Sequence, residues 1–153
     1  MNNSSKYILI IVNCLTKRVY AYPLIDRKNL NIIKVLKRAF KDIGLKPCEN
    51  KKHFLTNFQV DKEFIVGAEL QKFFKNFCVN VYYTQSIFKA SMAERFVKYY
   101  KEKLSSRMEA LKTENWVPLL KDIVLQYNTT RKHSSTNLSS AVMSPTYNVT
   151  THL

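Results

Sequence analysis

Glu94 is followed by Lys98 and Lys101, four and seven residues further on. At 3.6 residues per turn these three side chains share one helical face, a carboxylate beside two ammonium groups. A carboxylate is the hard oxygen ligand that anchors Mg2+ or Mn2+. The lysines could neutralise phosphates, with an affinity that falls steeply as salt rises. The plain alternative is a solvated basic face in which Glu94 pairs with Lys98 at i+4. Lys89 and Arg95 add cations beside Glu94, and Lys132 and His133 sit in a polar segment further on. Asp61 is another carboxylate, close to Asn57 and Gln59. A neutral amide oxygen can touch a metal but cannot offset its charge. Taken alone, Asp61 reads as a solvated loop residue.

Other chemistries find little support. Cys14, Cys48 and Cys78 are odd in number and widely spaced, with no CxxC pair, which argues against a disulfide framework and a zinc site. His53, His133 and His152 add no metal-ligand spacing. The 153 residues are 46% hydrophobic with only two glycines, enough for one domain with a real core. Net charge is +14, from 25 Lys and Arg against 11 Asp and Glu, which favours a polyanionic partner. Nucleic acid is the first candidate and an anionic membrane surface the second. The longest apolar run, Tyr7–Val12, is far too short to cross a bilayer. Asn13 and Lys17-Arg18 interrupt it too early for a signal peptide. The chain is expected to be intracellular and nuclear, so the sequons at Asn3, Asn128, Asn137 and Asn148 carry no weight.

These residues need elements to position them. Lys6–Asn13 and Arg18–Leu24 read as a β-hairpin, with Pro23 at a strand end or a sheet edge. Asp26–Gly44 reads as a helix buried through Leu30, Ile33, Leu36, Phe40 and Ile43, capped by Asp26 or Asn29 and stopped by Gly44 and Pro47. A strand over His53–Asn57, a helix over Val66–Phe77 and a strand over Asn80–Thr84 follow. A long helix, Ala90–Lys112, would bury Phe96, Tyr99, Tyr100, Leu104, Met108 and Leu111, and a last helix would run over Asn115–Tyr127. From Asn128 on, the Ser/Thr/Asn-rich composition predicts irregular chain. The order predicts an α/β domain with a mixed sheet. Its bounds are 6–147, with short tails over 1–5 and 148–153.

The order, together with five local strings, resembles the integrase core of retroviruses, retrotransposons and especially Maverick/Polinton-type elements. Lys6-Tyr7-Ile8-Leu9-Ile10-Ile11-Val12-Asn13 matches the string that opens the family's second strand, and Tyr22-Pro23-Leu24 the end of its third. Lys62-Glu63-Phe64 matches part of a Thr-Asp-x-Gly-x-Glu-Phe segment. Lys89-Ala90-Ser91-Met92-Ala93-Glu94-Arg95-Phe96 is close to a helix start of the form KASxxERF. Tyr127-Asn128-Thr129-Thr130, His133-Ser134 and Met143-Ser144-Pro145 resemble the closing string. The resemblance implies a ribonuclease-H-like mixed sheet flanked by helices, and DNA integration by a polynucleotidyl transferase.

Such enzymes hold two divalent ions, Mg2+ or Mn2+, on an Asp, Asp, Glu triad. The resemblance assigns Glu94 to the third position. The second falls on Gln59, or on Asn57 in another alignment; Asp61 would serve only if its loop rearranged. The first Asp belongs to a strand upstream of Lys6 that lies in the middle of the family's sheet. Its loss would leave two edges in need of backbone partners. Either the reading frame begins upstream of Met1 or the element is a decayed copy. The family's zinc-binding HHCC module and C-terminal DNA-binding module have no counterpart here. The resemblance nominates Lys98 and Lys101 for DNA, with Lys89 and Arg95 secondary. It therefore implies a DNA-binding core, inactive as this chain. Alternatives are an active transferase using Glu94, Asp61 and an upstream Asp, or a domesticated protein-interaction module. Trp116 packs on a neighbouring helix or serves a homodimer contact. Phe73, Phe74, Tyr82, Tyr83, Tyr99 and Tyr100 read as core packing rather than base-stacking platforms.

Overall fold

The computed structural model describes residues 5–14, 16–49, 56–61, 67–83, 91–130 and 146–152. Its strands are β1 (Tyr7–Asn13), β2 (Val19–Leu24), β3 (Thr56–Val60), β4 (Val79–Tyr83) and β5 (Thr146–His152). Its helices are α1 (Asn29–Ile43), α2 (Ala68–Asn76), α3 (Ser91–Leu111) and α4 (Val117–Thr130). The strands form one mixed sheet in the order β2-β1-β5-β3-β4.

The expected hairpin forms, β1 pairing antiparallel with β2 from Tyr7↔Leu24 to Val12↔Val19. Because β1 is covered on both faces it reads as an unbroken apolar run rather than an alternation. Leu9 and Ile11 enter the core under α1 and α2, while Ile8, Ile10 and Val12 enter the one under α3 and α4. β2 is an edge strand, and an edge tolerates Pro23, which has no N–H to give a ladder.

On the first side Phe40 is the hub. Its ring lies 5.4 Å from Phe58, 5.3 Å from Phe73 and 4.9 Å from Phe77. On the second side Phe96 stacks with Tyr100 at 6.0 Å and meets Tyr127 edge-on at 5.1 Å. The two layers sandwich the sheet.

Several boundaries move. The α1 stripe is Ile32, Leu36, Ala39 and Phe40, while Leu30 is 64% exposed. An apolar arc wider than 100° admits Ile32 and Ile33 alike, and periodicity cannot choose between them. Lys28 is the N-cap residue and makes no side-chain cap. Asp26 works from two residues upstream, its Oδ1 accepting from Lys28 N at 2.9 Å and from Asn31 Nδ2 at 2.8 Å. Gly44 ends the helix at φ 89°, the left-handed conformation that glycine adopts without a Cβ clash. β3 runs past the expected end at Asn57 to Val60, which buries Phe58 and Val60; residues 53–55 of the expected strand lie outside the described residues. Leu111, expected in the α3 stripe, is 62% exposed in the last turn. Tyr82 and Tyr83, expected in the core, are exposed on the edge strand β4.

Two corrections are larger. Cys48 and Cys78 are bonded as a disulfide with Cα atoms 6.0 Å apart, against the expectation of none. After Gly44 the chain turns back, and Cys48 N donates to Asn76 O at 3.0 Å, beside the residue pair that leads into β4. A contact closed by 30 residues of chain leaves no spacing signature.

The second concerns the C-terminal segment. Residues 146–152, where composition predicts irregular chain, form β5 in the middle of the sheet. β5 runs antiparallel to β1, from Ile8↔His152 to Asn13↔Tyr147, and parallel to β3, from Asn57↔Thr146 to Val60↔Val149. Its Thr, Tyr and Val content suits a strand, and pairing on both sides satisfies backbone groups that β1 and β3 would otherwise expose.

Candidate active site

β3 and α3 set the geometry. With Thr56, Phe58 and Val60 facing the α1/α2 core, Asn57 and Gln59 project from the opposite face, the one that α3 and α4 cover. Asn57 Oδ1 accepts a hydrogen bond from Asn80 Nδ2 at 3.1 Å, across a pair that is also in register between β3 and β4. Gln59 stands opposite Tyr82 on β4 and Asn148 on β5. Burial pushes the Tyr82 hydroxyl above its ordinary value, and neighbouring Cys14 pushes it the same way. Asp61 follows the last residue of β3 and is half-buried.

Glu94 is exposed in the first turn of α3. That turn is anchored through Met92 and Ala93, which pack into the α3/α4 core. Lys17, at φ 61° in the hairpin turn, donates from Nζ to the Cys14 carbonyl and reaches Met92 Sδ at 3.5 Å. The turn after β1 and the start of α3 are thereby held together. Arg95, Lys98 and Lys101 are all exposed, as is Glu94. Lys89, Lys132 and His133 lie outside the described residues. Sequence reasoning did not find Lys17, Asn80 or Asn128, whose roles depend on contacts 23 to 109 residues distant.

Among the described residues no group of three or more His, Cys, Asp and Glu is placed to hold a metal ion. Of the expected donors, the described residues include one exposed carboxylate, Glu94, with the amides of Asn57 and Gln59 and the half-buried carboxylate of Asp61. One of those amides is already occupied by Asn80. Among the described residues this donor set does not supply the several anionic oxygens that a two-metal centre needs on a common pair of ions.

Trp116 is partly buried against the α3/α4 core. No helix among the described residues is long and apolar enough to cross a membrane.

This arrangement has solved counterparts. The catalytic core of BIV integrase superposes with a TM-score of 0.63, covering 82% of this chain and 77% of that one at 12% identity. The fold is that of an integrase core. A chain of the simian T-cell lymphotropic virus intasome, solved with a PP2A regulatory subunit, superposes at 0.71 and 13% identity, covering 94% of this chain and 52% of its own. A transposon-derived protein of Caenorhabditis elegans is 25% identical over 124 residues, 80% of this chain. The chain spans 41% of that relative's length. No protein-family model matches the chain. In this integrase-like fold the central place, expected to lack its strand, is taken by β5.

Proposed function

We propose that the chain is an integrase-derived core domain of a transposable or viral element that binds duplex DNA and does not itself transfer strands. The observation that carries the reading is an integrase-core fold in which α3 exposes Arg95, Lys98 and Lys101 around Glu94. The net charge of +14 supports a polyanionic partner. The donor set supports the inactive part, since Glu94 has no anionic companions grouped with it among the described residues.

Duplex binding followed by fluorescence anisotropy against salt tests the DNA part. Log affinity should fall linearly with log salt, and Lys98→Glu with Lys101→Glu should lower the slope by about 2. An affinity indifferent to salt would sink the reading in favour of a protein-interaction module. Strand-transfer and nicking assays with Mg2+ or Mn2+ test the inactive part. Activity that Glu94→Gln and Asp61→Asn both abolish would replace it with an enzyme.

A further inference from the structure

The two edges of the sheet are built differently. At the β2 edge Pro23 has no N–H to offer, and Asn128 occupies both backbone groups of Val19. An incoming strand meets a blocked ladder there. β4 reads Val79-Asn80-Val81-Tyr82-Tyr83, with neither a proline nor a charged residue. Among the described residues it pairs with β3 and ends the sheet. Tyr82 and Tyr83 are 39% and 45% exposed. An uncharged, exposed strand edge is a template for another extended chain.

A cleft of about 350 Å3 opens beside this edge, between β4 and α2. Alternation along the strand turns Val79, Val81 and Tyr83 toward α2. Phe74, Val79 and Val81 give the cleft an apolar lining, while Gln71, Lys75 and Tyr83, all exposed, form its rim. Lys72, one helical turn before Lys75, is exposed as well. Ligand sites run from roughly 300 to 1,000 Å3, so this one suits side chains standing off a strand better than a whole cofactor. The start of β4 is held in place. Cys78 directly precedes it and is bonded to Cys48, whose N–H donates to Asn76 O at 3.0 Å. A fixed edge loses little freedom when a partner binds.

We infer that the β4 edge binds an extended acidic segment of another protein, which adds to the sheet beside β4. The backbone of β4 pairs with the segment, alternate side chains enter the cleft, and flanking carboxylates meet Lys75 and Lys72. Charge selects the occupant. A second copy of this chain brings a net charge of +14 against the same lysines. Duplex DNA satisfies the cations but uses neither the row of backbone groups nor the apolar lining. At about 3.4 Å per residue β4 spans roughly 17 Å, which matches about five residues of the segment. The inference does not depend on the DNA-binding reading of α3.

The test uses the full chain and a labelled probe, acetyl-Glu-Thr-Val-Thr-Val-Thr-Glu-amide. Its valines and terminal carboxylates share one face whichever way the strand runs. Fluorescence anisotropy should show binding, and amide hydrogen exchange at Val79–Tyr83 should slow when the probe is added. Successive amides of a strand point to opposite edges, so methylating the valine nitrogens or the threonine nitrogens blocks one edge or the other. One methylated probe should lose binding at least tenfold while the other stays within a few-fold. Lys72→Glu with Lys75→Glu should also cost at least tenfold, whereas the same charge change at the exposed Lys112 and Lys121 should not. The methylated probes are compared on the wild type, so a misfolded variant leaves the test intact. No binding at millimolar probe, or equal behaviour of the two methylated probes, overturns the strand pairing. Protection of Val79–Tyr83 that rises with protein concentration alone gives the edge to a second copy and overturns the inference. So does displacement of the probe by duplex DNA whose binding needs Lys72 and Lys75. Probe binding in a protein that binds no duplex leaves this inference standing and overturns the α3 reading.

Discussion

Asn128 holds the backbone of Val19 with both ends of its side-chain amide. Val19 N donates to Asn128 Oδ1 at 2.9 Å, and Asn128 Nδ2 donates to Val19 O at 2.8 Å. The pair ties the last helix to the edge strand β2 across 109 residues of sequence and satisfies two groups on an open sheet edge. Two partly buried hydrogen bonds contribute about 2 kcal/mol together. Asn128→Ala should therefore lower stability by about 2 kcal/mol in urea denaturation, and Asn128→Asp, which keeps the acceptor and loses the donor, by about half of that. An unchanged midpoint for Asn128→Ala would show that the pair is dispensable.

Tyr100 presents the opposite case. Its hydroxyl is buried and has no partner among the described residues, with the ring stacked on Phe96. An unsatisfied buried hydroxyl costs about 1 to 3 kcal/mol, so removing it while keeping the ring should not harm the protein. Tyr100→Phe is expected to raise the midpoint of thermal unfolding by a few degrees. A drop would mean that the hydroxyl has a partner after all.

Two tyrosines predict an alkaline limit. Burial, reinforced by the hydrogen bond to Asp42, pushes the Tyr22 hydroxyl well above the ordinary 10.0, and burial alone does the same for Tyr100. A folded-state value raised above the unfolded one gives stability that is complete below the unfolded value. That stability is lost as pH climbs toward the folded value. Stability should decline above about pH 10. The decline should be shallower in the Tyr22→Phe, Tyr100→Phe double variant. Parallel alkaline limbs in the two proteins would contradict this.

The Cys48–Cys78 bond closes a loop of 30 residues that includes β3 and α2. Loop-closure entropy for that length is about 3 to 4 kcal/mol. Reduction, or Cys48→Ser, should lower the unfolding free energy by about that amount, while Cys14→Ser leaves the difference between oxidised and reduced protein unchanged. Free-thiol titration of the unfolded, unreduced chain should find one thiol, at Cys14. Three thiols would rule out the bond under the conditions used.

Much of the scaffold was legible because its signals are local. The run Tyr7–Val12, the α1 and α3 periodicities and the Gly44 stop each depend on a few neighbouring residues, and the hairpin and four helices formed where those signals lay. The exposed positions of Glu94, Lys98 and Lys101 follow from the same helical period. Where local signals were weak, the strand edges slipped, as at β3, which continues past Asn57 to bury Phe58 and Val60.

The sequence by itself determined the α/β class, the order of the first eight elements and the strong positive charge. Tertiary structure alone decided three things. The segment TYNVTTH, polar enough to read as a tail, became the central strand because β1 and β3 each offered it a row of backbone donors and acceptors. Cys48 met Cys78, and Asn128 met Val19, through chain reversals that leave no periodic trace.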